Sequence, residues 1–202
     1  MVSRMSRFGL LLLCACGVAA LVSCPSSPPP DPDPDPQWTF ASDVEGWSFP
    51  FDPDVRCVNP TSILSWLGTQ GSPGAGCLKI EASFDTDGEY VSVVAPIVED
   101  PLTAGTDLST KEFTVKVQSV DIPVLAVIFA ASYDTAWRSK DNGGTNVAAA
   151  TWTSTEFTFA ETDPPFEPDD VRFLGVLLQP PMGMANGTYI FYIDTAVISD
   201  AP

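Results

Sequence analysis

Glu112-Phe-Thr-Val-Lys-Val117, followed past Pro123 by Val124-Leu-Ala-Val-Ile-Phe-Ala-Ala131, decides the fold class. In the first segment Phe113, Val115 and Val117 alternate with Glu112, Thr114 and Lys116. That period of two lays one face of a strand on a core and the other in water. The second segment is apolar on both faces and rich in branched and aromatic side chains, as a strand in the middle of a sheet is.

Outward from this pair the same grammar repeats. Leu78-Lys-Ile-Glu-Ala-Ser-Phe84 and Thr155-Glu-Phe-Thr-Phe159 alternate, and Glu89 to Ala95 carries Tyr90, Val91, Val93 and Val94. Val171 to Leu178 reads as a second buried strand, and Thr188 to Ile198 as the closing one, entered through an Asn186-Gly187 turn. Gly, Pro, Asp and Asn punctuate the segments, and helical signals are weak; Thr61 to Leu67 is expected to form at most a turn or two. Residues 38–202 are therefore expected to be one all-β domain, an antiparallel β-sandwich with long loops. Met182 and Met184 beside Pro180-Pro181 read as loop packing.

The N-terminal region has another character. Arg4 and Arg7 precede an apolar run from Phe8 to Val22, and small Ser23 stands before Cys24. The run is about 15 residues against the roughly 20 needed to span a bilayer, so it reads as a cleavable secretory signal. Leu21-Val-Ser-Cys24 resembles the lipobox of bacterial lipoproteins, which implies removal of residues 1–23, a lipidated Cys24, and a lipid-anchored protein of the bacterial envelope, at the outer membrane or cell surface. Residues 24–37, with Pro25-Ser-Ser-Pro-Pro-Pro-Asp-Pro-Asp-Pro-Asp-Pro36, are expected to form an extended stalk of polyproline type. At about 3.1 Å per residue it would hold the domain roughly 35 Å from the membrane.

The whole chain of 202 residues has a formal charge of −17. Removal of residues 1–23 takes Arg4 and Arg7 with it and leaves seven basic residues against 26 acids, a charge of −19. Such a surface repels phosphate backbones, so nucleic acid is not an expected partner. There is no histidine, which removes the commonest general base and the commonest transition-metal ligand. With Cys14 and Cys16 in the signal and Cys24 taken by lipid, Cys57 and Cys77 remain in an exported domain and are expected to form one disulfide, stabilising by about 3 kcal/mol.

Four separated pieces resemble the galactose-binding-like jelly-roll domains that include many carbohydrate-binding modules. They are Trp38-Thr-Phe-Ala-Ser-Asp-Val-Glu-Gly-Trp47, Gly76-Cys-Leu-Lys-Ile80, Thr151-Trp-Thr-Ser-Thr-Glu-Phe-Thr-Phe159 and Tyr189-Ile-Phe-Tyr-Ile-Asp-Thr-Ala-Val-Ile198. The resemblance covers the region from Trp38 to Ile198. It implies a structural calcium ion held by an acid just after the opening phenylalanine, by the late aspartate and by backbone carbonyls. Asp194 matches the late ligand, whereas Ala41 follows Phe40, so the early ligand would have to come from Asp43 or Glu45. Without an ion, Asp194 would accept backbone N–H groups instead, because a carboxylate among Tyr192, Ile193 and other apolar neighbours needs a partner.

The expected ligand face follows the buried strand ending at Ala131. Tyr133-Asp-Thr-Ala-Trp-Arg-Ser-Lys-Asp-Asn142 reads as a polar loop in which Tyr133 and Trp137 are stacking platforms for sugar rings. Asp134, Arg138, Lys140, Asp141 and Asn142 would supply hydrogen bonds. Trp66 is a further candidate platform. The competing reading is that these aromatics cap the core. A non-catalytic carbohydrate-binding domain on a membrane-anchored lipoprotein, with a polysaccharide as partner, is the expected function; a structural or protein-interaction lipoprotein is the alternative. Neither a triad with histidine nor a phosphate-binding glycine loop is present, and no short acidic motif positions two carboxylates about one glycosidic bond.

Overall fold

The computed structural model describes residues 37–50, 61–102, 104–133, 136–159, 166–184 and 186–202. The lipobox, the stalk, Cys24, Cys57 and Asp134 lie outside these residues. The described residues form two antiparallel sheets and no helix.

The strands are β1 (Gln37–Trp38), β2 (Ile63–Leu67), β3 (Cys77–Phe84), β4 (Val91–Pro96), β5 (Lys111–Ser119), β6 (Val124–Tyr133), β7 (Trp137–Asp141), β8 (Thr145–Val147), β9 (Thr153–Thr158), β10 (Val171–Gln179) and β11 (Gly187–Asp200). The first sheet runs β2-β3-β11-β5-β9, with β1 paired to the later half of β11; the second runs β4-β10-β6-β7, with β8 paired to the start of β6. Apart from β2 with β3 and β6 with β7 and β8, the paired neighbours are far apart in sequence, as in a jelly roll.

The alternations read from the sequence are the inward faces. Leu78, Ile80, Ala82 and Phe84 of β3, Phe113, Val115 and Val117 of β5, and Phe191 and Ile193 of β11 meet Val91, Val93, Ala126, Ile128, Leu174 and Val176 of the other sheet in one core. Trp38, Phe40 and Trp47 close one end of it, each ring edge-on to Trp47 or to Phe113 at 5.9–6.3 Å, the packing that aromatic quadrupoles favour.

Two local expectations change. Residues 61–67 are not helical: from Ile63 they pair with the free edge of β3, Ile63 opposite Glu81 and Leu67 opposite Cys77. Backbone donors on an open edge outweigh a short stretch of weak helix propensity. The segment after Tyr133 is a tight hairpin, since β7 pairs with β6 from Trp137 opposite Tyr133 to Asp141 opposite Phe129.

Candidate functional site

The outer face of the β4-β10-β6-β7 sheet collects the residues that the sequence singled out as platforms. Tyr133 and Trp137 face each other across β6 and β7 with ring centroids 5.0 Å apart, and Trp137 meets Phe173 of β10 at 5.3 Å. The face has its own apolar cluster, built on Val94, Val127, Phe129, Ala131, Phe173 and Leu177, with Tyr90, Leu125 and Tyr133 packed against it. At its centre the Phe129 ring occupies the place of a side chain at Gly175, where a Cβ would lie 2.3 Å from Cζ. Glycine is required there by close approach, since any methyl would have to displace the ring.

At the aromatic end, the register shifts between Val171 and Phe173. This bulge breaks alternation and brings the Arg172 guanidinium over the Tyr133 ring, 5.2 Å from its centroid. Arg172 is 7% exposed and four of its five N–H donors are engaged: Nε and Nη2 donate to Asp170 at 3.1 and 2.9 Å, Nη1 to the Pro101 carbonyl at 2.9 Å, and Nη2 to the Tyr133 carbonyl at 3.3 Å. At the opposite end Leu125, Asn146, Gln179, Pro180, Pro181 and Met182 line a pocket of about 340 Å³, with Met182 86% exposed.

The expected binding residues therefore separate. Tyr133, Trp137 and Asp141 share this outer face, but Trp137 is only 9% exposed, wedged between two rings, and is a packing residue rather than an open platform. Arg138 and Lys140 lie on the other side of β7, opposite Ser132 and Ala130, and Arg138 Nε is buried without a partner among the described residues. Asn142 is a brace between sheets: its Oδ1 accepts from the N–H of Ile128 and Gly144, and its Nδ2 donates to Thr155 Oγ1 and the Glu156 carbonyl, all at 3.0–3.1 Å. An amide with all its bonds made offers nothing to a sugar. Trp66 is 39% exposed at the edge of the other sheet, where its Nε1 donates to the Phe40 carbonyl at 2.7 Å. The residues that the sequence did not mark are Arg172, Phe173 and Tyr90; only the Arg-Phe break in an otherwise apolar run could have signalled the bulge.

Asp194 is 2% exposed, and its partners are the loop between β2 and β3 and the next residue of β11. Its Oδ2 accepts from the Ser72 N–H, and its Oδ1 accepts from the Thr195 N–H at 2.7 Å. The Ser72 carbonyl in turn accepts from Lys116 Nζ at 3.3 Å and from Thr195 Oγ1 at 3.1 Å. Asp43 accepts from the Glu45 N–H at 2.7 Å, and the Glu45 carboxylate accepts from the N–H groups of Thr39 and Ala41 at 2.8 and 3.1 Å. Among the described residues no three acidic or cysteine side chains gather closely enough to hold a metal ion. Asp194 and Asp43 are each engaged by amides, and an ammonium reaches the carbonyl beside Asp194. In this arrangement the residues form a backbone cage and do not fit a calcium shell of six to eight oxygens.

Cys77, beside this cage, is fully buried and carries a free thiol, 3.8 Å from the Leu67 carbonyl. The expected bridge to Cys57 is not formed in this structure: Cys77 is a buried free thiol at the start of β3, and Cys57 lies outside the described residues. Burial, with the Asp194 charge added, pushes the thiol from its ordinary 9.0 up to about 11. Since the folded value lies above the unfolded one, the buried thiol contributes fully to stability below pH 9 and loses that contribution as pH rises through 11. Cys77 is expected to resist alkylation until the domain unfolds, and Cys77→Ala is expected to melt with a weaker dependence on pH between 9 and 11. Mass-resolved labelling and melting curves check both; rapid modification of Cys77 in the folded protein would contradict the placement.

No family model matches the chain, and no curated protein matches it in sequence. Solved structures do match in fold. The second xylan-binding family 22 carbohydrate-binding module of a Paenibacillus barcinonensis protein superposes with a TM-score of 0.55 at 14% identity, over 82% of this chain and 98% of the other. A family 11 carbohydrate-binding module from Clostridium thermocellum, in complex with a β-1,3-1,4-mixed-linked tetrasaccharide, gives 0.53 at 13% identity over 83% and 96%. A family 22 module joined to a glycoside hydrolase family 10 module, from a Clostridium thermocellum endo-1,4-β-D-xylanase complexed with xylohexaose, gives 0.56 at 11% identity. The match takes in 84% of this chain and only 29% of that one. The chain thus has the jelly-roll β-sandwich fold seen in carbohydrate-binding modules.

Proposed function

We propose that this protein is a non-catalytic carbohydrate-binding domain carried on a lipid-anchored envelope protein, with a polysaccharide as its partner. The observation that supports it best is fold likeness across more than four-fifths of the chain to modules named for the glycans they bind. Tyr133 and Asp141, half-buried on the outer face of the second sheet, supply the pairing of an apolar ring with an acceptor that a sugar needs. The lipobox-like Leu21 to Cys24 and the proline-rich stalk would place that face away from the membrane.

A second reading, a structural or protein-interaction lipoprotein on the same fold, is favoured by the burial of Trp137 and of the apolar floor beside it. A glycan array probed with residues 37–202, followed by Tyr133→Ala on any ligand found, separates the two. Tyr133→Ala is expected to weaken binding about fivefold with the fold retained. A domain that is folded and binds no glycan would leave the second reading. For the anchor, mass spectrometry of membrane-extracted protein is expected to find a mature chain that begins at a lipidated Cys24.

A further inference from the structure

The outer face of the other sheet carries a second arrangement of rings and polar groups. Register sets Lys79 of β3 opposite Tyr192 of β11, and Tyr192 opposite Gln118 of β5. The β5–β9 pairing ends at Val117 with Thr153, and Trp152 is the residue just before β9. A row across β3, β11 and β5 thus reads Lys79, Tyr192, Gln118, about 10 Å long at the usual strand spacing, with the start of β9 beyond it. Tyr192 and Trp152 stand two strands apart, yet their ring centroids are 6.4 Å from each other with planes inclined by only 32°. The rings lean together.

These groups are not consumed by the fold. Both rings are partly exposed, on a face that also carries Ile63 and Ile190 among polar side chains such as Glu81, Thr114, Lys116 and Glu156. Among the described residues the Tyr192 hydroxyl, the Trp152 indole N–H and the Gln118 amide make no hydrogen bond. The contrast with Trp137 is physical: that ring is wedged between two others, whereas this pair has a flank turned to water. Of the nearby cations, Lys79 is paired with Glu81 at 3.1 Å and Lys116 is bonded to the Ser72 carbonyl. With so acidic a chain, a polyanion would be repelled.

We infer that Tyr192, Trp152 and Gln118 form a second binding surface, on the sheet opposite Tyr133, for a neutral polysaccharide chain. The two rings, tilted by 32° to each other, receive the apolar faces of pyranose units, and the amide, hydroxyl and indole N–H at their edges bond the sugar hydroxyls. The inference takes its ligand class from the glycan-binding reading and its location from the geometry alone.

The test is affinity electrophoresis of the domain in gels containing neutral xylan or mixed-linkage β-glucan, with each variant's melting temperature as the check on folding. Trp152→Ala and Tyr192→Ala are each expected to weaken retardation about fivefold, while Trp152→Phe retains most of it. Polysaccharide is expected to change tryptophan emission in the wild type and in Tyr133→Ala, and not in the double variant Tyr133→Ala with Trp152→Phe, in which neither surface retains its reporter. Retardation that survives Trp152→Ala and Tyr192→Ala in folded protein but falls with Tyr133→Ala would overturn this surface and leave the first. No retardation or emission change of the wild type in either polysaccharide would overturn both.

Discussion

Asp194→Ala is expected to lower stability by about 4 kcal/mol, because two hydrogen bonds to a charged group are lost and the N–H groups of Ser72 and Thr195 are left without an acceptor. For a domain of this size that corresponds to roughly 12 °C in Tm. Asp194→Asn keeps one acceptor oxygen and is expected to lose about half as much. The carboxylate, the Ser72 loop and Lys116 form one closed set, so wild-type melting in calcium and in chelator should coincide. A calcium-dependent rise in the wild type that vanishes in Asp194→Ala would show instead that an ion displaces the amides, since a ligand of the folded state stabilises by mass action. A small change in Asp194→Ala, unaltered by calcium, would mean that the loop re-forms its bonds with water.

Arg172→Met should cost about 3 kcal/mol, or roughly 9 °C. The guanidinium is buried and bonded to a carboxylate and two carbonyls, and methionine fills its volume without replacing a donor. Loss of one partner of a buried pair is expensive because the other is left uncompensated, although Asp170 keeps a quarter of its side chain in water, which softens the cost. The same substitution removes the cation from the Tyr133 ring, so near-ultraviolet circular dichroism should change in the aromatic region. If glycan affinity falls in Arg172→Met while the fold persists, and falls no further when Arg172→Met is added to Tyr133→Ala, Arg172 positions the ring for ligand. An unchanged melting temperature would refute the buried role of the guanidinium.

The sandwich was legible in the chain because its strands are buried on one face or on both, and burial leaves a period in the sequence. Phe113, Val115 and Val117, or Leu78, Ile80 and Ala82, point inward for the reason their alternation suggested. Asp194 was legible in the same way: a carboxylate on an aromatic strand must find partners, and it finds two amides. Which of the alternatives satisfied it depended on where the loop carrying Ser72 came to rest, more than a hundred residues away in sequence. The segment from Ile63 to Leu67 became a strand because β3 offered an unpaired edge, a fact about a neighbour that no local pattern contains.

By itself, then, the sequence determined the class of fold, the inward residues and the need for a partner at Asp194, all of which follow from periodicity and from the cost of burying charge. Tertiary structure decided which aromatics are open and which are packed. Tyr133, Trp137, Trp152 and Tyr192 are all large aromatic residues in or beside strands, and their exposure depends on what the neighbouring strands place beside them. Phe173 and the bulge at Arg172 close around Trp137, whereas Trp152 and Tyr192 keep a free flank, and that difference in neighbours is set by pairing between strands within each sheet rather than along the chain.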